Sequence, residues 1–399
     1  MKIKKNERKG ITLIALVITI IILLILATIS IQSLTNTGLF KRAQEAKNAM
    51  ENAEAEQALI LNEYENALNS YYVPESKPKS NLVADNTNKV LSTTENTELK
   101  DEYGNKIVVP AGFKIVSDST TNNATTVDKG ITIEDATKTE EGTETPTNGS
   151  QFVWIPVGTI YKDAEHSDAK KKTIKLNRYI FDAAGNPTAQ YEKSIYEYET
   201  NFQELSSSDK GNIVAKSISD FKTSVTTNGG YYVGRYEART ATQRNAEDDA
   251  LTQITERGTE KVYNFVTQSQ AANQAKNMYN SAKFTSDLIN SYAWDTAVLY
   301  FQTYGTKTIY SKQISINSEF SITGTNLNTN KDIQCNVYDI ASNLYEWTTE
   351  TCEKEGYPGV FRGGYYGEIN NGSSYRDGYG FVPRSNIYLG FRPILYINN

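Results

Sequence analysis

Few side chains in this 399-residue chain are of the kinds that do covalent or metal chemistry. The one histidine, His166, sits in a charged segment, and one imidazole cannot supply the two histidines of an iron-binding facial triad. The two cysteines are Cys335 and Cys352. In an oxidising compartment they could close one short loop as a disulfide; alternatively they are two free thiols or two small buried side chains. No phosphate-cradling Gly-rich loop, HExxH or GxSxG motif occurs. Carboxylates are plentiful, but nothing in their spacing marks a pair as a general acid and base. These residues give a chain that is not an enzyme.

One stretch does have the composition of a binding surface. From Gly363 to Gly380, 15 of 18 residues are Gly, Tyr, Asn, Ser or Asp, the exceptions being Glu368, Ile369 and Arg376. Tyr offers a large rigid contact area at low entropic cost, and Ser, Gly and Asn supply adaptable hydrogen bonds. The candidate ligand contacts are Tyr365, Tyr366, Asn370, Asn371, Tyr375, Asp377 and Tyr379. The net charge of −6 argues against nucleic acid as the partner.

Among the elements that would carry this stretch, the N-terminal end is distinctive. Residues 11–31 carry no charge, and at 1.5 Å per residue such a helix covers about 30 Å, the thickness of a bilayer's hydrocarbon core. The preceding leader is basic, through Lys2, Lys4, Lys5, Arg8 and Lys9. This predicts a single-pass membrane anchor over 11–35, with its N-terminus cytoplasmic and the remainder extracellular. Apolar residues at helical spacing (Leu39, Ala43, Ala46, Met50, Ala53, Ile60, Tyr64, Leu68) predict an amphipathic helix over 36–72. The polar, proline-containing segment 73–100 reads as a linker.

Beyond it the pattern is mixed. DEYGNKIVVPAGFKIV reads as two short strands split by Pro110-Ala111-Gly112, and QFVWIPVG and GGYYVGRYEAR read as strands. FVTQSQAANQAKNMYNS has helical spacing, and SDLINSYAWDTAVLYFQTYG predicts a second helix through Leu288, Ala293, Val298 and Phe301. Residues 117–150 read as a long exposed loop with one short strand, and 161–222 as a polar insertion.

Two resemblances attach to these segments. The Lys-Gly-Ile-Thr-Leu-Ile start resembles the signal of type IV pilins and type II secretion pseudopilins. It implies cleavage after Gly10 by a prepilin peptidase, N-methylation of Ile11, and assembly with other pilins or pseudopilins. The family's Glu five residues after the cut is replaced here by Ala15.

The second covers residues 101–399. FVWIPVG, GGYYVGRYEAR, the two helical segments, IASNLYEW, and FRGGYY with GFRPIL resemble, in order, the formylglycine-generating-enzyme (sulfatase-modifying factor) domain, a variant of the C-type lectin fold. The fold class implied is α+β: a long N-terminal helix followed by this lectin-type domain. In the catalytic branch two cysteines bind copper just after the Arg-Gly-Gly stretch. Here Glu368 and Ser373 stand near those positions, so the oxidase activity is not expected. The resemblance implies a structural calcium at the segment of Asn343 and Glu346, and no other cofactor. It also places the ligand-facing surface of lectin-type variable proteins on the stretch before the final Gly-Phe-Arg. Together these predict a pilin-like surface protein displaying a non-catalytic adhesin head, or a minor pseudopilin of a secretion system.

Overall fold

The computed structural model describes residues 20–26, 80–117, 123–136, 149–188, 195–196, 217–255, 257, 260–314, 332–352, 359–367, 370–380 and 385–398. The chain divides into two compact units, Met1–Leu61 and Asn62–Asn399.

In the first unit, residues 20–26 are helical and their apolar side chains are about half exposed. Among the described residues no helix is long and apolar enough to cross a membrane. Seven residues at 1.5 Å rise reach about 10 Å, a third of a hydrocarbon core. This overturns the expected single-pass anchor and extracellular placement, and with them the pilus, secretion and cell-surface assignments, which nothing in the described structure supports. Gly10, Ile11, Ala15 and the helix expected over 36–72 lie outside the described residues.

The second unit is mixed α+β. Its two principal sheets use eleven strands: β1 Phe113–Ile115, β2 Thr132–Asp135, β3 Gln151–Pro156, β4 Ile195–Tyr196, β5 Gly230–Gly234, β6 Phe284–Leu288, β7 Tyr345–Cys352, β8 Gly359–Arg362, β9 Arg376–Gly380, β10 Leu389–Phe391 and β11 Pro393–Ile397. Among the described residues three α-helices accompany them: α1 Ile218–Asn228, α2 Gln268–Lys276 and α3 Ser291–Tyr304.

The main sheet is antiparallel in the order β6-β11-β5-β3-β2-β1. Its central strands are buried at every residue, as expected of a sheet covered on both faces rather than one with a wet side. On one face lies α1, begun by Ser217, whose hydroxyl accepts from the Asp220 N–H at 3.0 Å, and ended by Gly229 in the left-handed region. It buries Ile218, Phe221 and Val225, one stripe of the helix, and Phe221 packs edge-on to Tyr231 of β5 and Tyr396 of β11. Helix α3 meets the same face through Tyr231 and is capped by Asn290, which accepts from the Ala293 N–H at 2.9 Å. Trp294, Ala297, Val298 and Phe301 fall at i, i+3, i+4 and i+7 and are all buried. Tyr231 reaches from β5 to donate to the Ala293 carbonyl at 2.6 Å. Trp154, Trp294 and Trp347 are fully buried, and each would contribute roughly 2–3 kcal/mol through apolar area alone.

The second sheet runs β4-β7-β8-β9, with β10 pairing parallel to β7. Helix α2 packs beside it, started by a reciprocal capping box between Thr267 and Gln270. Gln268 donates to the carbonyls of Thr348 at 2.6 Å and Glu350 at 2.8 Å, tying the helix start to β7.

Two local expectations change. Leu288 ends strand β6 rather than entering the helix, because Asn290 caps α3 two residues later. The linker stops short of residue 100: Thr97–Lys100 pairs antiparallel with Lys106–Val109. The one strand expected within 117–150 is β2, whose Ile133 is fully buried between β1 and β3.

Candidate ligand-binding site

The Gly363–Gly380 stretch begins where β8 ends. Arg362 leads into Gly363, whose φ of 83° is in the left-handed region and whose Cβ, were there one, would lie 2.5 Å from the Ile340 carbonyl oxygen. The Arg-Gly-Gly sequence is therefore a requirement of close backbone packing against residues 340–341. The chain returns as β9, where Asp377 faces Phe361 and Arg376 faces Arg362 across the ladder.

Beneath this hairpin is a buried ion network. Arg362 donates to Asp295 of α3 and, at 3.0 Å, to Glu350 of β7. Arg376 donates through Nη2 to Asp295 at 2.7 Å and through Nε to Glu350 at 2.8 Å. Arg178 donates to Glu350 at 3.1 Å. Asp295, Glu350 and Arg362 are wholly buried, and the Arg362 guanidinium lies 5.4 Å from the centre of the Trp294 ring. Burial pushes the Glu350 carboxyl up, but Arg376, Arg362 and Arg178 outweigh it and hold the group at about 2. Trp294 Nε1 donates to the Ser373 carbonyl at 2.8 Å, fixing the turn before β9.

The predicted contact residues separate into two groups. Tyr365, Tyr366 and Tyr375 join an aromatic cluster with Tyr345, Phe361 and Tyr388. The Tyr345 ring lies 4.6 Å from Tyr365 and 5.9 Å from Tyr375, and the Tyr365 ring lies 5.4 Å from Tyr366 and 5.2 Å from Tyr388. The rings are tilted or edge-on, the arrangements their quadrupoles favour. Asn371 donates to the Tyr345 hydroxyl, and Tyr375 donates to Asp377 at 3.2 Å. Tyr365, Tyr366 and Tyr375 are half-buried, so each is held on one side and open on the other. Asn370 is exposed. Tyr379 belongs to β9, and its side chain lies outside the described residues.

Beside this cluster opens a pocket of about 340 Å³. Asn370, Gly372, Ser374, Tyr375 and Arg376 form one wall; Tyr179, Ile180 and Phe181, with Ser311, Lys312 and Ile314, form the other. Nothing in the residue spacing marks this second wall. Residues 179–181 lie in the stretch read as a polar insertion, and 311–314 follow α3 with no recognisable motif. The alternation Tyr-Ile-Phe after Arg178 is the one available signal.

The other expected sites are differently occupied. Glu346 is buried against Arg392, which donates from Nη2 at 2.6 Å and from Nε at 3.0 and 3.2 Å. Burial still raises the Glu346 carboxyl above the ordinary range. Asn343, with a φ of 64°, donates to Glu237 at 2.7 Å, and the Leu344 N–H donates to the same carboxyl at 2.9 Å. Burial and the neighbouring Asp339 push Glu237 well above the usual range, against the pull of Arg239. The Glu346 carboxylate and the Asn343 amide nitrogen are thus engaged inside the protein. Among the described residues no group of three or more His, Cys, Asp and Glu side chains is placed to hold a metal ion.

The cysteines form no disulfide: both are free thiols. Cys335 sits in the turn of the hairpin Ile333–Tyr338, with its sulfur 3.8 Å from the Asp128 carbonyl. Cys352 ends β7 and donates to the Gly378 carbonyl at 2.7 Å. The two thus face different neighbours. His166 stacks on Tyr161 at 3.9 Å and contacts the Tyr103 carbonyl at 2.8 Å, remote in sequence from the second sheet.

No protein-family model and no curated protein matches this chain. Among solved structures, the chain is similar to Treponema denticola variable protein 1 at 12% identity and a TM-score of 0.32, covering 63% of this chain and 97% of that one. It is also similar to the crystal structure of CarF at 17% identity and a TM-score of 0.22, covering 32% of this chain. The chain spans about half, 55%, of the CarF chain it matches. Likeness at these TM-scores carries no structural conclusion.

Proposed function

We propose that the second unit is a non-catalytic ligand-binding domain whose ligand meets the second sheet at Tyr365, Tyr366, Asn370, Asn371, Tyr375 and Asp377. The observation that carries this reading is the pairing of an open, polar, tyrosine-rich rim with a rigid floor. The half-open aromatic residues stand over a buried network of five charged side chains that fixes the backbone beneath them. A preorganised surface loses little entropy on binding. The finer fold assignment, a formylglycine-generating-enzyme-type variant of the C-type lectin fold, belongs to the same reading and is supported by the order of the sequence motifs. The lack of cysteines in the Gly363–Gly380 stretch supports binding over oxidase chemistry.

The test is a glycan and metabolite array probed with the full chain and with Tyr366→Ala and Asn371→Ala. The variants should lose at least tenfold in binding to whatever the parent captures, with unchanged melting temperature. Undiminished capture by both variants would place the ligand surface elsewhere.

A further inference from the structure

The pocket beside the tyrosine rim borders the buried network, in which Arg178, Arg362 and Arg376 donate to Asp295 and Glu350. Arg376 is the member that lines the pocket. Its side chain is only 6% exposed, and its Nε and Nη2 are committed to Glu350 and Asp295. Among the described residues, Nη1 has no hydrogen-bond partner, which leaves two N–H bonds unused on a group that borders the pocket.

A second cation stands on the opposite wall. Lys312 is exposed and donates one hydrogen bond, at 2.6 Å, to the Phe181 carbonyl, leaving two of its three N–H donors for a ligand. Asp182, whose carboxylate Lys312 helps to hold below the ordinary range, is taken up by the Asn186 side chain at 3.0 Å and by the N–H groups of Ala184 and Asn186 at 2.9 and 2.8 Å. The lining also offers apolar surface to solvent: Ile180 is 39% exposed and Ile314 44%.

Resting on the reading of this face as a ligand-binding surface, we infer that the pocket takes a small organic carboxylate: the anionic end between Arg376 Nη1 and Lys312, the apolar body against Ile180 and Ile314. Inorganic phosphate has no apolar body to set against Ile180 and Ile314, which an organic carboxylate has. The pocket volume lies within the range of small-molecule sites.

The test titrates the full chain with sodium benzoate, its neutral counterpart benzamide, and inorganic phosphate, following pocket resonances by NMR. Benzoate should bind at least tenfold more tightly than benzamide or phosphate, and should weaken as salt is raised. Lys312→Gln, an exposed substitution, should weaken benzoate at least threefold and leave benzamide unchanged. Arg376→Gln should abolish the preference for benzoate; since it opens the buried network, its melting curve is recorded alongside, and the Lys312 variant decides if it does not fold. Equal binding of benzamide, equal binding of phosphate, or no shift with 10 mM benzoate would each overturn the inference. Tyr366 and Asn371 are not among the residues lining this pocket, so Tyr366→Ala and Asn371→Ala should leave the benzoate titration intact. The wider binding surface and the carboxylate pocket can therefore fail separately.

Discussion

Arg362 and Asp295 form an ion pair with both side chains wholly excluded from solvent, one at the end of β8 and the other on α3. The pair joins the helix that covers the main sheet to the strand that launches the candidate binding stretch. With Glu350 and Arg376 it makes a closed square in which each carboxylate receives both arginines. Such a network fixes geometry more surely than it adds stability, because desolvation of each charge offsets much of the attraction.

Removing one member should therefore be far more damaging than the network's net contribution. Arg362→Met leaves Asp295 and Glu350 short of donors and should cost about 3–5 kcal/mol, read as a lowered urea midpoint. A loss under about 1 kcal/mol would mean that water or Arg178 takes over.

Stability should pass through a maximum in weak acid. Glu350, held at about 2, lies below its unfolded value of about 4.3. Its contribution is complete above that unfolded value and is lost as pH falls toward 2. Glu237 is displaced in the opposite direction, with the folded state retaining a proton that the unfolded state releases. Stability therefore falls as pH rises above about 4.3, at up to about 1.4 kcal/mol per pH unit for one group, until Glu237 itself ionises. Glu237→Gln should shrink the fall in urea midpoint between pH 5 and pH 8. It should not abolish it, because Glu346 and Asp332 are raised by burial as well. A variant whose pH profile parallels the parent's would show that Glu237 is ionised in the fold.

Gly363→Ala should destabilise the domain by roughly 1–3 kcal/mol and weaken ligand capture together. The new methyl meets the Ile340 carbonyl, and a residue with a Cβ resists a φ of 83°. A differential scanning calorimetry trace matching the parent's would contradict the close approach described here.

Both thiols should be found reduced. Alkylation in denaturant without reductant should add two adducts per chain by intact mass, whereas the native protein should react slowly. Burial pushes the Cys335 thiol up to about 12, which keeps its reactive thiolate scarce at neutral pH, and Cys352 is buried. A chain that takes up no label until reduced would establish the disulfide that the structure lacks.

What could be read from the sequence was local. The strands around Trp154 and Tyr232 and the helices at Ala271 and Ala297 show in their spacing, and Gly363-Gly364 announces a backbone constraint. The site's floor was not legible, because Asp295, Glu350, Arg362 and Arg376 look like surface charges until the fold brings four separated segments together. Lys312 and Ile180 were missed for the same reason. The calcium expected at Glu346 came from the resemblance alone; its partner in the fold, Arg392, is 46 residues away and no spacing announces it. The membrane anchor was the opposite error: a strong local pattern at residues 11–31, for which the described structure offers no membrane-spanning helix.

The placement of β11 between β5 and β6 sets the order in which the molecule can assemble. The middle of the main sheet is stitched from residues 151–156, 230–234, 284–288 and 393–397, so most of its ladders close very long loops. Loop-closure entropy must be met before those contacts contribute, which makes folding slow, on the order of milliseconds to seconds. Strand β10, one residue from β11, then carries the second sheet through its parallel ladder to β7. The tyrosine face is consequently a late-maturing surface, and binding competence on refolding should return with the slowest core phase and never ahead of it.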